Sequence, residues 1–401
     1  MGRRLCTLFN WWSTHANQAI ILALGKPGDK VAVTRTAHRS VLSALVLTGL
    51  EPIWLTPEID SGTGVPTGIP VSELERVLDQ KPIALLLTEP GYLGTISELS
   101  ALIKKAHENS IPVIVDAAWG GHFGFNSQIP QHVLQLGADA LITSVHKALP
   151  GYSASALLLA QGKLLNLDRI EQSFETTHTT SPAGAPLASI DGVRALLQTR
   201  GNELTGELVS LVNSFKTAVQ AHFAETIFLN ATDFPSKRFD PVKIVLRANI
   251  LGLSGVDIER ELQQANIRVE MADRDTIVFL ATLADTAEDF TVLENALVPI
   301  LQKLQGPTRQ TQTSLSWSVV PTVAISMRDA YFADTEFVSA KDAIGRISAD
   351  LIAPYPPGVA VVAPGEVLTE QIVNGLAATQ KAGVRIAYAS DSTLATYRVT
   401  K

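Results

Sequence analysis

Between about residue 17 and residue 165 the chain alternates short apolar runs with stretches of helical spacing. The runs are 30–36 (KVAVTRT), 51–56 (EPIWLT), 83–88 (IALLLT), 112–117 (PVIVDA), 138–145 (ADALITSV) and 155–160 (SALLLA). Several are apolar at nearly every position instead of at every second one, the pattern of strands covered on both faces. The stretches between them, such as 40–47 and 97–107, carry apolar residues at three- and four-residue intervals. Strand–helix–strand repetition predicts a mostly parallel sheet flanked by helices, with ligands gathered at the carboxyl ends of the strands.

Past Gly201 the texture changes. A long helix is expected over 203–224, followed by a second α+β pattern: strand 242–248, a glycine turn at 252–255, a helix through Gln264, and strands 267–270 and 276–283. The Thr- and Gln-rich stretch 306–314 reads as a linker. The expected organisation is a large domain over 1–201, a small α+β domain over 202–305 and a C-terminal domain over 315–401. A chain of 401 residues accommodates this.

Composition narrows the function classes. Thirty-two basic against 39 acidic residues give a net charge of −7, and no Lys/Arg block marks a nucleic-acid surface. Every long apolar run is broken by charge, glycine or proline, so no membrane span is expected. The first dozen residues lack the apolar core and cleavage site of a signal peptide. Cys6 is the single cysteine, which excludes internal disulfides and multi-cysteine metal sites; a reducing cytoplasm is the expected location.

Two residues carry the chemistry. Lys147 follows an apolar strand in Thr-Ser-Val-His-Lys, where partial burial lowers an amine's pKa and makes it a nucleophile toward an aldehyde. The plain alternative is a surface lysine starting a loop. Asp116 ends the apolar run 111–116, where a carboxylate serves as metal ligand, as base, as loop cap, or as partner of a protonated ring nitrogen. It precedes Lys147 by about one strand–helix–strand unit, and together the two form the pair that a pyridoxal-phosphate (PLP) site uses. Ser13 and Thr14 precede a helical run and could hold a phosphate there, although an ordinary helix cap reads the same way. Ser144 and His146, flanking Lys147, are further candidates, and His38 could stack on a ring face.

The motifs together resemble the Orn/Lys/Arg decarboxylase class-I family, the fold-type-I PLP enzymes that decarboxylate basic amino acids. Ser144-Val145-His146-Lys147 resembles its S-[TV]-H-K segment, whose lysine carries PLP as a Schiff base. Asp116-Ala117-Ala118-Trp119 resembles D-x-A-[HW], and Ala37-His38-Arg39-Ser40 resembles C-H-K-S, whose histidine stacks on the pyridine ring. Thr180-Ser181-Pro182 with Leu187–Asp191 resembles a stretch that reaches the phosphate of a neighbouring subunit, which implies a homodimer. Residues 343–349 and Tyr355-Pro356-Pro357-Gly358 with Ala363–Glu366 resemble the C-terminal signature.

The resemblance implies a fold-type-I α/β architecture and decarboxylation of arginine, lysine or ornithine. Lys147, Asp116, His38 and His146 would be catalytic. Ala118 would pack on the second ring face, Ser13, Thr14, Ser144 and Thr180 would serve the phosphate, and Trp119 and Glu366 are substrate candidates, Glu366 for the distal cation. No metal is expected. The chain departs from the family at its start: little precedes Ser13, and Trp11-Trp12 stands where a small Asn-Gly-like pair is expected. The expectation is therefore an N-terminally truncated or frame-disrupted member. Two other readings stay open, an aminotransferase of the same fold and an inactive homologue acting as a binding subunit.

Overall fold

The computed structural model describes residues 5–9, 12–355 and 358–401. Trp11, Pro356 and Pro357, named above, lie outside them. The principal elements of the first half are β1 (Leu5–Phe9), α1 (Trp12–Leu24), β2 (Lys30–Thr34), α2 (Arg39–Thr48), β3 (Glu51–Leu55), β4 (Leu85–Thr88), α3 (Leu99–Glu108), β5 (Val113–Asp116), β6 (Ala140–Ser144) and β7 (Ala156–Ala160). Seven strands form one sheet in the order β1-β7-β6-β5-β4-β2-β3. The run β6-β5-β4-β2-β3 is parallel, and β7 and β1 close one side antiparallel.

The nearly continuous apolar runs are explained by two covers. Val31, Val33, Leu86, Ile114, Ile142 and Leu158 face one core with Ile20 and Ile21 of α1 and Leu42 and Leu45 of α2. Ala32, Leu85, Leu87, Val113, Val115 and Leu141 face the opposite core with Leu102 and Ile103 of α3. Each such Val, Leu or Ile contributes about 1.5–3 kcal/mol relative to exposure, so a register slip in these strands is heavily penalised. Helix α2 is capped at both ends: the His38 ring accepts from the Ser40 amide, and Gly49, at φ 72°, closes the other end.

The second half comprises α4 (Leu167–Thr177), α5 (Gly184–Gln220), β8 (Ile244–Arg247), α6 (Gly255–Gln264), β9 (Met271–Ala272), β10 (Thr276–Phe279) and α7 (Ala287–Leu304). The order β8-β10-β9 is antiparallel throughout, and its apolar face packs on Val212, Phe215 and Val219 of α5 and Leu297 and Leu301 of α7. The remaining chain holds β11 (Thr335–Ser339), β12 (Ala353–Tyr355), α8 (Glu370–Lys381), β13 (Arg385–Ala387) and β14 (Thr396–Thr400), paired β11 with β14 and β12 with β13. The long helix begins at Gly184 and not near 203, because Pro186 falls in the first turn, where amides have no intrahelical partner to lose. Residues 267–270 lie outside the strands, although the Glu270 amide bonds to the Val278 carbonyl at 3.0 Å.

Candidate active site

Adjacent parallel strands β5 and β6 end in the two residues on which the site is built. Asp116 closes β5 and is 6% exposed. One carboxylate oxygen accepts from the Asn17 side-chain amide at 2.8 Å, and the other accepts from the Ala118 backbone amide at 3.1 Å. The same Asn17 nitrogen donates to Ser40 Oγ at 3.0 Å, and Ser40 Oγ stands 2.8 Å from His38 Nδ1. The backbone amide of Ser40 donates to that Nδ1, making it an acceptor and placing the ring proton on Nε2. An unbroken hydrogen-bonded line thus runs Asp116–Asn17–Ser40–His38. Burial pushes the His38 imidazole down to about 4, against the opposing pull of Asp116, so His38 is neutral at physiological pH.

Lys147 lies three residues beyond β6. Burial lowers its pKa while Asp116 and Glu270 act in the opposite direction, and its Nζ stands 4.1 Å from the centre of the Trp119 ring. A second ammonium, Lys243 Nζ, stands 3.9 Å from the same centre. Lys243 precedes β8 and is buried; burial brings it down to about 8. Glu270 completes this group: burial raises its carboxyl, opposed by Lys243 and Lys147. The loop after Lys147 is tied to the second half by the Leu283 amide, which donates to Ala148 O at 3.1 Å.

At the start of α1, Ser13 Oγ lies 2.6 Å from Ser144 Oγ, joining the helix N-terminus to the end of β6. His146 donates from Nδ1 to the Ser155 carbonyl at 2.8 Å, leaving Nε2 as its free nitrogen, and burial lowers its pKa. Trp12 sits edge-on to that ring, 4.9 Å between centres, about half exposed, at φ 67°. This is a glycine-like conformation that costs a bulky residue roughly 1–2 kcal/mol.

The structure therefore brings Lys147, Asp116, His38, His146, Ala118, Trp119, Ser13 and Ser144 to one face, with Thr14 in the same first turn of α1. It does not bring Thr180 there: in this single chain Thr180 is exposed on the segment before α5. Glu366 requires a correction. Its carboxylate accepts from both terminal nitrogens of Arg35, at 2.5 and 2.9 Å, from Trp54 Nε1 at 3.0 Å and from the Ala363 amide at 2.7 Å. Both members of the pair are 1% exposed, so this carboxylate is committed to Arg35 and is not offered to a ligand.

Asn17, Lys243 and Glu270 escaped the sequence reading. Each left a trace: an amide on the buried face of α1, a lysine inside the apolar run PVKIVL, and a carboxylate ending the run 267–270. The donor set suits PLP. A buried carboxylate already oriented by two donors answers a pyridinium, an amine biased toward its neutral form answers an aldehyde, and two hydroxyls at a helix N-terminus answer a phosphate.

Comparison with known proteins identifies the family and the fold. Residues 10–289 match the family described as Orn/Lys/Arg decarboxylase, major domain, and residues 309–386 match its C-terminal domain. An arginine decarboxylase of Bacillus subtilis is 34% identical over 395 residues, covering 96% of this chain and 80% of the relative. The lysine decarboxylase LdcF of Francisella novicida superposes with a TM-score of 0.84 at 18% identity, covering 99% of this chain and 70% of that one. A serine palmitoyltransferase of S. paucimobilis with bound PLP superposes with a TM-score of 0.57 at 13% identity, covering 75% and 73%.

Proposed function

Because the chain belongs to the Orn/Lys/Arg decarboxylase family, we propose that it binds PLP on Lys147 and releases CO₂ from a basic amino acid. The observation that carries this is the meeting of the Lys147 amine with the Asp116 carboxylate at the ends of neighbouring strands, the carboxylate braced by Asn17 and the Ala118 amide. Bound PLP supplies a protonated ring that takes up the electron pair left when the Cα–carboxylate bond breaks.

The chain's own residues do the rest. Asp116 holds the proton on the ring nitrogen, and the line through Asn17 and Ser40 keeps both the carboxylate and the His38 ring in place. His38, neutral and flat, and Ala118 would hold the ring between them. Ser13, Thr14 and Ser144 receive the phosphate at the N-terminus of α1, and Thr180 of a second copy reaches it in a homodimer. Lys147 would hold the aldehyde carbon until the substrate amine takes its place, and its freed amine, or His146 Nε2, would then carry the proton delivered to Cα.

Glu270 is the acceptor for the distal cation of the substrate. Its carboxylate is exposed, free of any hydrogen bond or ion pair among the described residues, and close enough for its charge to act on Lys147 and Lys243, which leaves it open to an entering guanidinium or ammonium. Arginine, lysine and ornithine all answer this description, and the named relatives favour arginine.

Absorbance with added PLP, before and after borohydride, followed by peptide mapping, tests the cofactor assignment. A pyridoxyl group on Lys147 is expected, and CO₂ release from arginine, lysine and ornithine then assigns the substrate. An adduct on another lysine, or none, overturns the reading.

A further inference from the structure

Trp119 presents one indole to two ammonium groups, Lys147 Nζ at 4.1 Å and Lys243 Nζ at 3.9 Å. Lys243 is 4% exposed, and among the described residues its Nζ has no hydrogen bond or ion pair. Its main chain is fixed: the amide donates to Asp240 O at 3.1 Å, and the carbonyl accepts from Lys216 Nζ of α5 at 3.0 Å. Gly94, at φ 89°, packs so close that a Cβ there would stand 2.9 Å from Lys243 Cβ. A buried ammonium so firmly placed and so poorly partnered is costly to fold. Its position is the informative feature.

We propose that Lys243 is a positioning residue for Lys147, acting through the Trp119 ring that both ammoniums share and the Glu270 carboxylate that both face. The proposal rests on the reading of Lys147 as the nucleophilic amine. The charged groups around Lys243 are Asp240 on its own segment, with His122 behind it at 3.1 Å, Glu270 before β9, Lys147 beyond β6, and Lys216 at its carbonyl. Those around Lys147 are Asp116, Glu270 and, beside it, His38 and His146.

Lys147 disfavours the charge on Lys243, and since repulsion between two ammoniums is mutual, Lys243 while charged disfavours the charge on Lys147. Lys243 also shares the field of Glu270 and the indole face, both of which would otherwise act on protonated Lys147 alone. Each effect has the same sign: Lys243 biases Lys147 toward the free amine. Without it, Glu270 would turn its full attraction on Lys147 and hold the amine protonated.

The test uses the cofactor-free full chain and trace acetylation by N-acetoxysuccinimide, with Lys147 labelling followed by peptide mass spectrometry across the alkaline range. The midpoint of that profile reads the amine's pKa independently of how easily the reagent reaches it. Lys243→Met and Lys243→Gln are both made, so that one misfolded variant leaves the other. Both are expected to move the Lys147 midpoint to higher pH and slow its labelling near pH 8 roughly threefold or more, the effect of about half a pH unit. Lys243→Arg, which stays charged across the alkaline range where Lys243 loses part of its charge, is expected to keep the Lys147 midpoint at or below its wild-type value. Superposed profiles for wild type and the neutral variants, or an arginine variant shifted as far as methionine, overturn the proposal. Neither PLP nor substrate enters the measurement, so a failed cofactor assignment and a failed role for Lys243 are told apart.

Discussion

Replacing Glu366 by glutamine removes one charge from a place that water does not reach. Its four acceptor contacts go to Arg35, Trp54 and the Ala363 amide, and the Arg35 guanidinium also lies 4.7 Å over the Trp54 ring. Glutamine keeps the size and one acceptor oxygen but leaves Arg35 a buried cation without a counter-charge. Breaking a pair in this way costs about 3–5 kcal/mol. For 401 residues melting as one unit, the unfolding entropy is on the order of 0.8 kcal/mol/K, so Tm falls by roughly 4–6 °C. Scanning calorimetry of the full chain near neutral pH reads the shift. The double variant Arg35→Met/Glu366→Leu removes both charges and recovers most of the loss. An unchanged Tm in the single variant, or a double variant no better than the single one, refutes the reasoning. The experiment also separates the two roles considered for this residue, since a carboxylate that held substrate would raise KM and leave Tm alone.

Asn17→Ala deletes a hydrogen bond to a buried carboxylate, an interaction of about 1.5–3 kcal/mol; titration with PLP is expected to show affinity reduced tenfold or more, and unaltered affinity would remove Asn17 from the site. Glu270→Gln is expected to lower kcat/KM for the preferred basic amino acid roughly fivefold, mostly through KM, from about 1 kcal/mol of lost pairing at an exposed carboxylate; steady-state kinetics on arginine, lysine and ornithine decide it. His38 titrates near 6.5 when unfolded but at about 4 in the fold. The unfolded chain therefore takes up the extra proton between these values, and the contribution of His38 to stability is lost as pH falls through that window. Tm measured near pH 7 and near pH 5 should decline less in His38→Gln than in the wild type. Glu89 carries the opposite sign. Burial, offset by hydrogen bonds from Ser97, lifts it to about 7, so its contribution is present below the unfolded value and lost as pH rises toward 7. Glu89→Gln should raise Tm more near pH 8 than near pH 5, and an equal change at both would contradict the assignment.

The sheet was legible because burial on both faces leaves a local mark: six apolar runs map onto six of the seven strands of the main sheet. The Lys147–Asp116 pair was legible because strand ends can be counted. What local sequence hides is partnership across the chain. Glu366 looked like a pocket carboxylate because nothing near it in sequence announces Arg35, 331 positions away. Glu270 was passed over for the converse reason, since only the packing of the second half against β6 brings it beside Lys147. The early start of α5 was missed because glycine and proline break helices in their middles, whereas here they occupy the first turn, where they do no harm.

That helix has a mechanical consequence. Its 37 residues make a rod about 55 Å long. Ile190, Val193 and Leu197 near one end pack with Val145 and Leu149, on either side of Lys147. Val212, Phe215 and Val219 near the other belong to the core beneath β8 and β10. One continuous element is thus a member of both cores, and no joint separates them along it. The backbone on either side of Lys147 and the core beneath β8 and β10 are consequently held at one spacing, as a frame sets the width of a doorway.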